Sequence, residues 1–169
     1  MLLNPDKTVV MNTSLSHMYK YDCNILVNGV TLTPATEAKF LGVFIDNKLN
    51  FNNHIDYLVS KTNSRLFLMR QLKVQGLNTE GLKTFYTSNV RSILLYGAPA
   101  WYSFISKNGK DTLERIQRSA TRIILPDVTY EERLAHLSIP VLNDFIFECC
   151  KVHFNEISED ERTTHFIAE

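Results

Sequence analysis

The chain is poor in cysteine, with three in 169 residues, and two of them, Cys149 and Cys150, are adjacent. An odd, unspaced set excludes the disulfide framework of a small secreted domain and points to a reducing, intracellular compartment. The six glycines stand alone, which excludes a glycine-rich phosphate loop. No Gly-x-Ser-x-Gly elbow is present, so hydrolase chemistry has no handle. Nowhere do two aspartates stand side by side. The most apolar window, Val90 to Ile105, is broken by Arg91, Ser92, Pro99 and Ser103. It falls short of the roughly 18 uninterrupted apolar residues a membrane span needs. The N-terminus, Met1-Leu2-Leu3-Asn4-Pro5, lacks the basic and then apolar pattern of a secretory signal. These absences predict a soluble protein with no membrane partner.

What the chain does have is enough apolar residues, 44%, for a packed core in about one domain. Its net charge of zero conceals a sharp division. Residues 61–122 carry eleven lysines and arginines against three acids, a net of +8. Residues 123–169 carry three against ten, a net of −7. Such a division marks either a surface for an anionic partner or a basic surface covered by the chain's own acidic end.

The first 45 residues carry strand signals: Thr8-Val9-Val10-Met11, Asn24 to Val27, and Val30 to Thr33 beyond an Asn28-Gly29 turn, both of whose residues tolerate positive φ. Lys39 to Ile45 reads as a further strand with Gly42 inside it, as at a bulge or a close backbone approach. From residue 53 the apolar period changes to 3.6, with Ile55, Leu58, Val59, Leu66, Met69 and Leu72 on one face and Gly76 at the C-cap. A second helix follows Asn78-Thr79 and must stop or kink near Gly97-Ala98-Pro99. A third runs from about Asp111 to Leu125, and Thr129-Tyr130-Glu131-Glu132 fits a capping box for a short fourth. A last helix carries Leu142, Phe145, Ile146, Cys149 and His153 on one side. The expected class is α+β: one small antiparallel sheet followed by a bundle of about five helices.

Asn4-Pro5-Asp6-Lys7-Thr8, then Phe40-Leu41-Gly42-Val43-Phe44-Ile45-Asp46 with Leu49, Phe51, His54 and Ile55, resemble the end of the palm in reverse transcriptases of non-LTR (LINE-type) retrotransposons. Tyr96-Gly97-Ala98-Pro99-Ala100-Trp101 and Leu113-Glu114-Arg115-Ile116-Gln117 resemble the helical region downstream. The pattern is nearest to jockey and CR1-like elements. The resemblance implies a palm-end β segment over residues 1–52, a thumb-like segment over 53–125, and a helical extension with an acidic tail over 126–169.

The same resemblance implies roles. Lys7 stands where the family has its motif D lysine, which assists proton transfer to the pyrophosphate leaving group. Phe40, Leu41 and Gly42 match the primer grip, a β-hairpin turn against which the primer's 3′ end rests. The thumb tracks the template–primer duplex, and on that reading Lys61, Arg65, Arg115, Arg118 and Arg122 are the residues to contact it. The three arginines fall within about 60° of one another on a helix, although Asp111–Arg115 and Glu114–Arg118 at i, i+4 would neutralise two of them.

Catalysis in this family needs Mg²⁺ held by carboxylates that lie upstream of the Asn-Pro-Asp-Lys-Thr segment. The expectation is therefore a C-terminal piece of an RNA-directed DNA polymerase that lacks the catalytic aspartates, holds no cofactor, and is inactive without the upstream palm and fingers. Asp6, Asp22, Asp46 and Asp56 are expected to serve structure. Cys149 and His153 offer two metal ligands where a zinc site needs four, so no metal is expected. The alternative is an inert interaction module or decaying remnant that binds no nucleic acid, its acidic tail covering the basic helices.

Overall fold

The computed structural model describes residues 4–13 and 25–159. Asp22, Cys23 and the acidic residues from 160 onward lie outside the described residues. The class is α+β, as expected, in two compact units divided between His54 and Ile55.

The first unit holds two β-hairpins. β1 (Ile25–Val27) pairs antiparallel with β2 (Val30–Leu32), and β3 (Glu37–Phe40) with β4 (Val43–Asp46). Asn28 and Gly29 both take positive φ, the geometry of the two-residue hairpin turn whose twist matches its strands. Three expectations are corrected here. The hairpins form two separate two-stranded sheets and not one: Pro34 has no amide to extend a ladder, and the Ala35 amide is spent on the Val10 carbonyl at 2.7 Å. The run Thr8–Met11 is no strand. The run 39–45 is not one strand but two, because Leu41 (φ 45°) and Gly42 (φ 87°) reverse the chain between Phe40 and Val43.

The second unit is helical, and α1 (Asn52–Val74) leads into it. Ile55, Leu58, Leu66 and Met69 are buried along α1. Gly76, at φ 89°, ends it: the Leu77 amide reaches the Leu72 carbonyl and the Gly76 amide that of Lys73, both at 3.0 Å, closing two otherwise free acceptors. α2 (Thr79–Tyr86) is capped by the Asn78 side chain, which accepts the Gly81 amide at 2.8 Å. It runs through a wide π turn (Thr87–Arg91) into α3 (Ser92–Leu95). Gly97, left-handed at φ 62°, breaks the helix, and α4 (Ala98–Trp101) restarts with Pro99 in its first turn, where a missing amide costs nothing.

α5 (Lys107–Ile124) starts four residues before the expected Asp111, because the Ser106 hydroxyl accepts the Gly109 amide at 3.2 Å. α6 (Tyr130–Leu137) opens with the capping box expected of Thr129 and Glu132. It ends at a left-handed Ser138 before Pro140, and α7 (Leu142–Glu159) follows. Trp101, Tyr86, Met69, Leu82, Leu94, Leu113, Leu142 and Ile146 form the fully buried centre. Truncating a core side chain the size of Trp101 costs about 3–5 kcal/mol. Among the described residues no helix is long and apolar enough to cross a membrane.

Candidate nucleic-acid interface

In the first unit, the segment Asn4–Thr8 closes on itself. The Asn4 side chain accepts the Asp6 amide at 3.0 Å, and the Thr8 hydroxyl donates to the Asn4 carbonyl at 2.8 Å. Pro5–Lys7 form a single 3-10 turn that holds Lys7 exposed.

Several residues between Phe44 and His54 have a local task. Asp46 is the hub of the turn after β4: one carboxylate oxygen accepts the amides of Lys48 (2.9 Å) and Asn50 (3.3 Å), the other that of Phe51 (2.8 Å). This is the structural use expected of it. Leu49 and Phe51 take positive φ, and Phe51 is buried. His54, almost fully buried, accepts the Phe44 amide on Nδ1 at 3.5 Å, so its proton resides on Nε2. Burial holds its imidazole below the ordinary pKa. The Asn53 amide donates to Glu37. What this scaffold presents is its tip: Phe40 and Leu41 are 64% and 74% exposed, so neither is a core residue.

In the second unit, α5 divides its functions by face. Inward, Glu114 accepts the hydroxyl of Tyr130 and the amides of Leu142 (3.3 Å) and Asn143 (3.0 Å), placing a carboxylate at the N-terminus of α7, where the helix dipole favours it. Gln117 accepts the Tyr86 hydroxyl and donates to Tyr130 Oη (2.9 Å) and the Pro140 carbonyl (2.8 Å). Three helices, α2, α6 and α7, are thereby tied to one turn of α5. Burial is the main cause that pushes the Tyr86 and Tyr130 hydroxyl pKa values up. Sequence reading missed this network: Gln117 falls beside the apolar stripe of α5, about 20° from Ile124, but Glu114 falls nearer to Arg118, about 40° away, than to any residue of the stripe.

Outward, Arg115, Arg118 and Arg122 are exposed. The two intrahelical ion pairs expected to neutralise them are absent. Glu114 is turned inward, and Arg115 instead donates to the Thr112 hydroxyl at 2.6 Å. Arg118 lies over the Tyr130 ring, 4.2 Å from its centroid. Ion pairs on α7 join Lys151 to Glu148 and His153 to Glu156, and neither involves these arginines.

Two open clefts run between α1 and α5. One, of about 220 Å³, is lined by Asn63, Thr112, Arg115 and Ser119 among others. The other, of about 470 Å³, is lined by Arg70, Lys73, Val74, Arg122 and Ile123. Lys73 is engaged there, its ammonium on the last carbonyls of α5 at Ile123 and Ile124. Lys61 and Arg65 are exposed on α1 but line neither cleft, and Lys61 sits over the Tyr57 ring at 4.9 Å. The five expected contact residues thus fall into two groups, three on α5 and two on α1.

Cys149 and Cys150 are free and half-buried, and burial raises the Cys150 thiol pKa. No group of three or more metal-ligating side chains forms among the described residues.

No protein-family model and no solved structure matches the chain. Among curated proteins it is 25% identical over 167 residues to "Probable RNA-directed DNA polymerase from transposon BS" of Drosophila melanogaster, which covers 98% of this chain and 18% of that protein. It is 29% identical over 80 residues to "Retrovirus-related Pol polyprotein from type-1 retrotransposable element R1" of Bradysia coprophila, covering 46% of this chain and 8% of that protein. The chain spans less than a fifth of the length of these relatives. Its motifs and these matches agree: it is a relative of the RNA-directed DNA polymerases of non-LTR retrotransposons.

Proposed function

We propose that this chain is the palm-end, primer-grip and thumb portion of a retrotransposon reverse transcriptase, and that it contributes template–primer binding while the catalytic carboxylates lie elsewhere in the enzyme. The observation that carries this reading is the exposed row Arg115, Arg118 and Arg122, none of them ion-paired on its own helix: Glu114, one turn before Arg118, is committed to α7, and Arg115 donates to Thr112. Arginine guanidinium groups free of carboxylates suit phosphate oxygens. Lys61 and Arg65 add a second basic stripe on α1, and the apolar Phe40-Leu41-Gly42 tip suits contact with the primer's end. Lys7 fits the motif D role only beside a catalytic centre.

Two Mg²⁺ ions need carboxylates brought together. Asp46 has both oxygens on backbone amides, and no cluster of three ligating side chains exists among the described residues. The described residues do not fit the pair of ions, so no step of nucleotide transfer is assigned to them.

Fluorescence anisotropy with a labelled RNA–DNA primer–template at increasing salt tests the proposal. Counterion release gives a slope of log K against log salt of about −0.9 per duplex phosphate contacted, and a slope of about −3 to −5 is expected. Arg122→Ala weakens binding about equally across sequences. No binding at low salt would favour the inert-module reading.

A further inference from the structure

Arg133, on α6, is only 8% exposed, and its Nε is buried with no hydrogen-bond partner. The ion pairs of α7, Lys151–Glu148 and His153–Glu156, do not include it. Its two terminal nitrogens are not among the buried unpartnered atoms, so the guanidinium is largely desolvated along its Nε edge and open at its tip, and taking part of a charge out of water without a partner is costly. Its guanidinium lies 5.8 Å from the centroid of the Tyr130 ring, which Arg118 covers at 4.2 Å. Two positive groups therefore share one aromatic ring. The Tyr130 hydroxyl is fixed in turn by Glu114 and Gln117. Glu114 forms no ion pair with Arg133; its carboxylate accepts the Tyr130 hydroxyl and the amides of Leu142 and Asn143.

We propose that Arg118 and Arg133, held against Tyr130, form a phosphate site that takes a backbone phosphate of a nucleic-acid strand. The inference rests on the nucleic-acid-binding reading above and adds to it a residue, Arg133, that lies outside the basic segment 61–122. A guanidinium over an aromatic face keeps its in-plane N–H donors free for bidentate contact with phosphate oxygens. Tyr130 is the positioning residue: it touches no phosphate and sets where both guanidinium groups stand.

The test uses the full chain with Arg133→Met, Arg118→Gln and Tyr130→Phe, in thermal unfolding and in duplex binding. In chloride buffer Arg133→Met melts at or above the wild-type temperature, since a largely desolvated guanidinium with an unpartnered Nε is exchanged for an apolar stem. Inorganic phosphate, at matched ionic strength, raises the wild-type melting temperature and leaves that of Arg133→Met unchanged. Against the primer–template, Arg133→Met and Arg118→Gln each weaken binding about tenfold and each lower the salt slope by about 1. Tyr130→Phe keeps the ring and retains most of the affinity despite its lower stability.

If Arg133→Met melts well below wild type and binds the duplex with unchanged slope, Arg133 is a structural residue and the site is overturned, while the proposed function stands. If phosphate stabilises the wild type but no variant or wild type binds the duplex, the occupant is a free anion, and both the nucleic-acid assignment and the proposed function fall.

Discussion

The carboxylate of Glu114 lies 3.0 Å from the backbone amide of Asn143, a residue 29 positions further along the chain. That contact joins the middle of α5 to the first turn of α7, and the same side chain receives the Tyr130 hydroxyl from α6. Glu114→Ala strands a buried hydroxyl and two amides, each costing about 1–3 kcal/mol when unsatisfied. A loss of about 3 kcal/mol in urea unfolding is expected. Glu114→Gln, which keeps an acceptor, loses roughly half as much. Equal stability of both variants and wild type would remove Glu114 from its place at the centre of the bundle.

A pH dependence follows from His54. Its pKa is lowered by burial from the ordinary 6.5, and its Nδ1 accepts the Phe44 amide, which a protonated ring cannot do. The unfolded chain therefore takes up a proton at a higher pH than the folded one. Stability contributed by neutral His54 is complete above pH 6.5 and is lost as the pH falls below it. Amide exchange at Phe44, followed from pH 8 to 5, accelerates below pH 6.5 beyond the intrinsic trend. His54→Gln abolishes that acceleration.

The left-handed Leu41 separates fold from function at the hairpin tip. A leucine at φ 45° pays a steric cost of about 1–2 kcal/mol that asparagine largely avoids. Leu41→Asn is expected to stabilise the β3–β4 hairpin by about 1 kcal/mol and to weaken primer–template binding. A variant that is more stable and binds as well as wild type would show that the tip makes no contact with nucleic acid.

Primer extension by the purified chain, with Mg²⁺ or Mn²⁺, sits at background, and Asp46→Ala changes only stability. Incorporation above background that Asp46→Ala abolishes would place the active site here.

The parts of the fold legible in the sequence are those decided within a few residues. Asn28-Gly29 announces its turn because both residues accept positive φ, and Thr129 with Glu132 announces a helix start because the two groups satisfy each other locally. The Leu41-Gly42 reversal is invisible by the same logic: leucine is no turn former, so residue chemistry alone reads an unbroken strand. The α5 arginines were legible from helical period, but their freedom was not. That of Arg118 depends on Glu114 finding partners at Tyr130, Leu142 and Asn143, and no rule of i, i+4 spacing anticipates partners that distant. Arg133 gives no signal at all, as a single arginine in an acidic stretch.

Leu82, Tyr86, Val90 and Leu94 are all buried, at a strict spacing of four. Four residues of regular α-helix turn through about 400°, so such a column slips sideways by about 40° at every step. The π turn at Thr87–Arg91 absorbs the slip by carrying one surplus residue. In terms of chain editing, this helix tolerates a deletion that its neighbours do not. Removing the exposed Ser88 restores an ordinary turn and leaves Leu94 on the core side, whereas removing one residue from the middle of α5 swings Gln117 away from Tyr86 and Tyr130 and undoes the bundle.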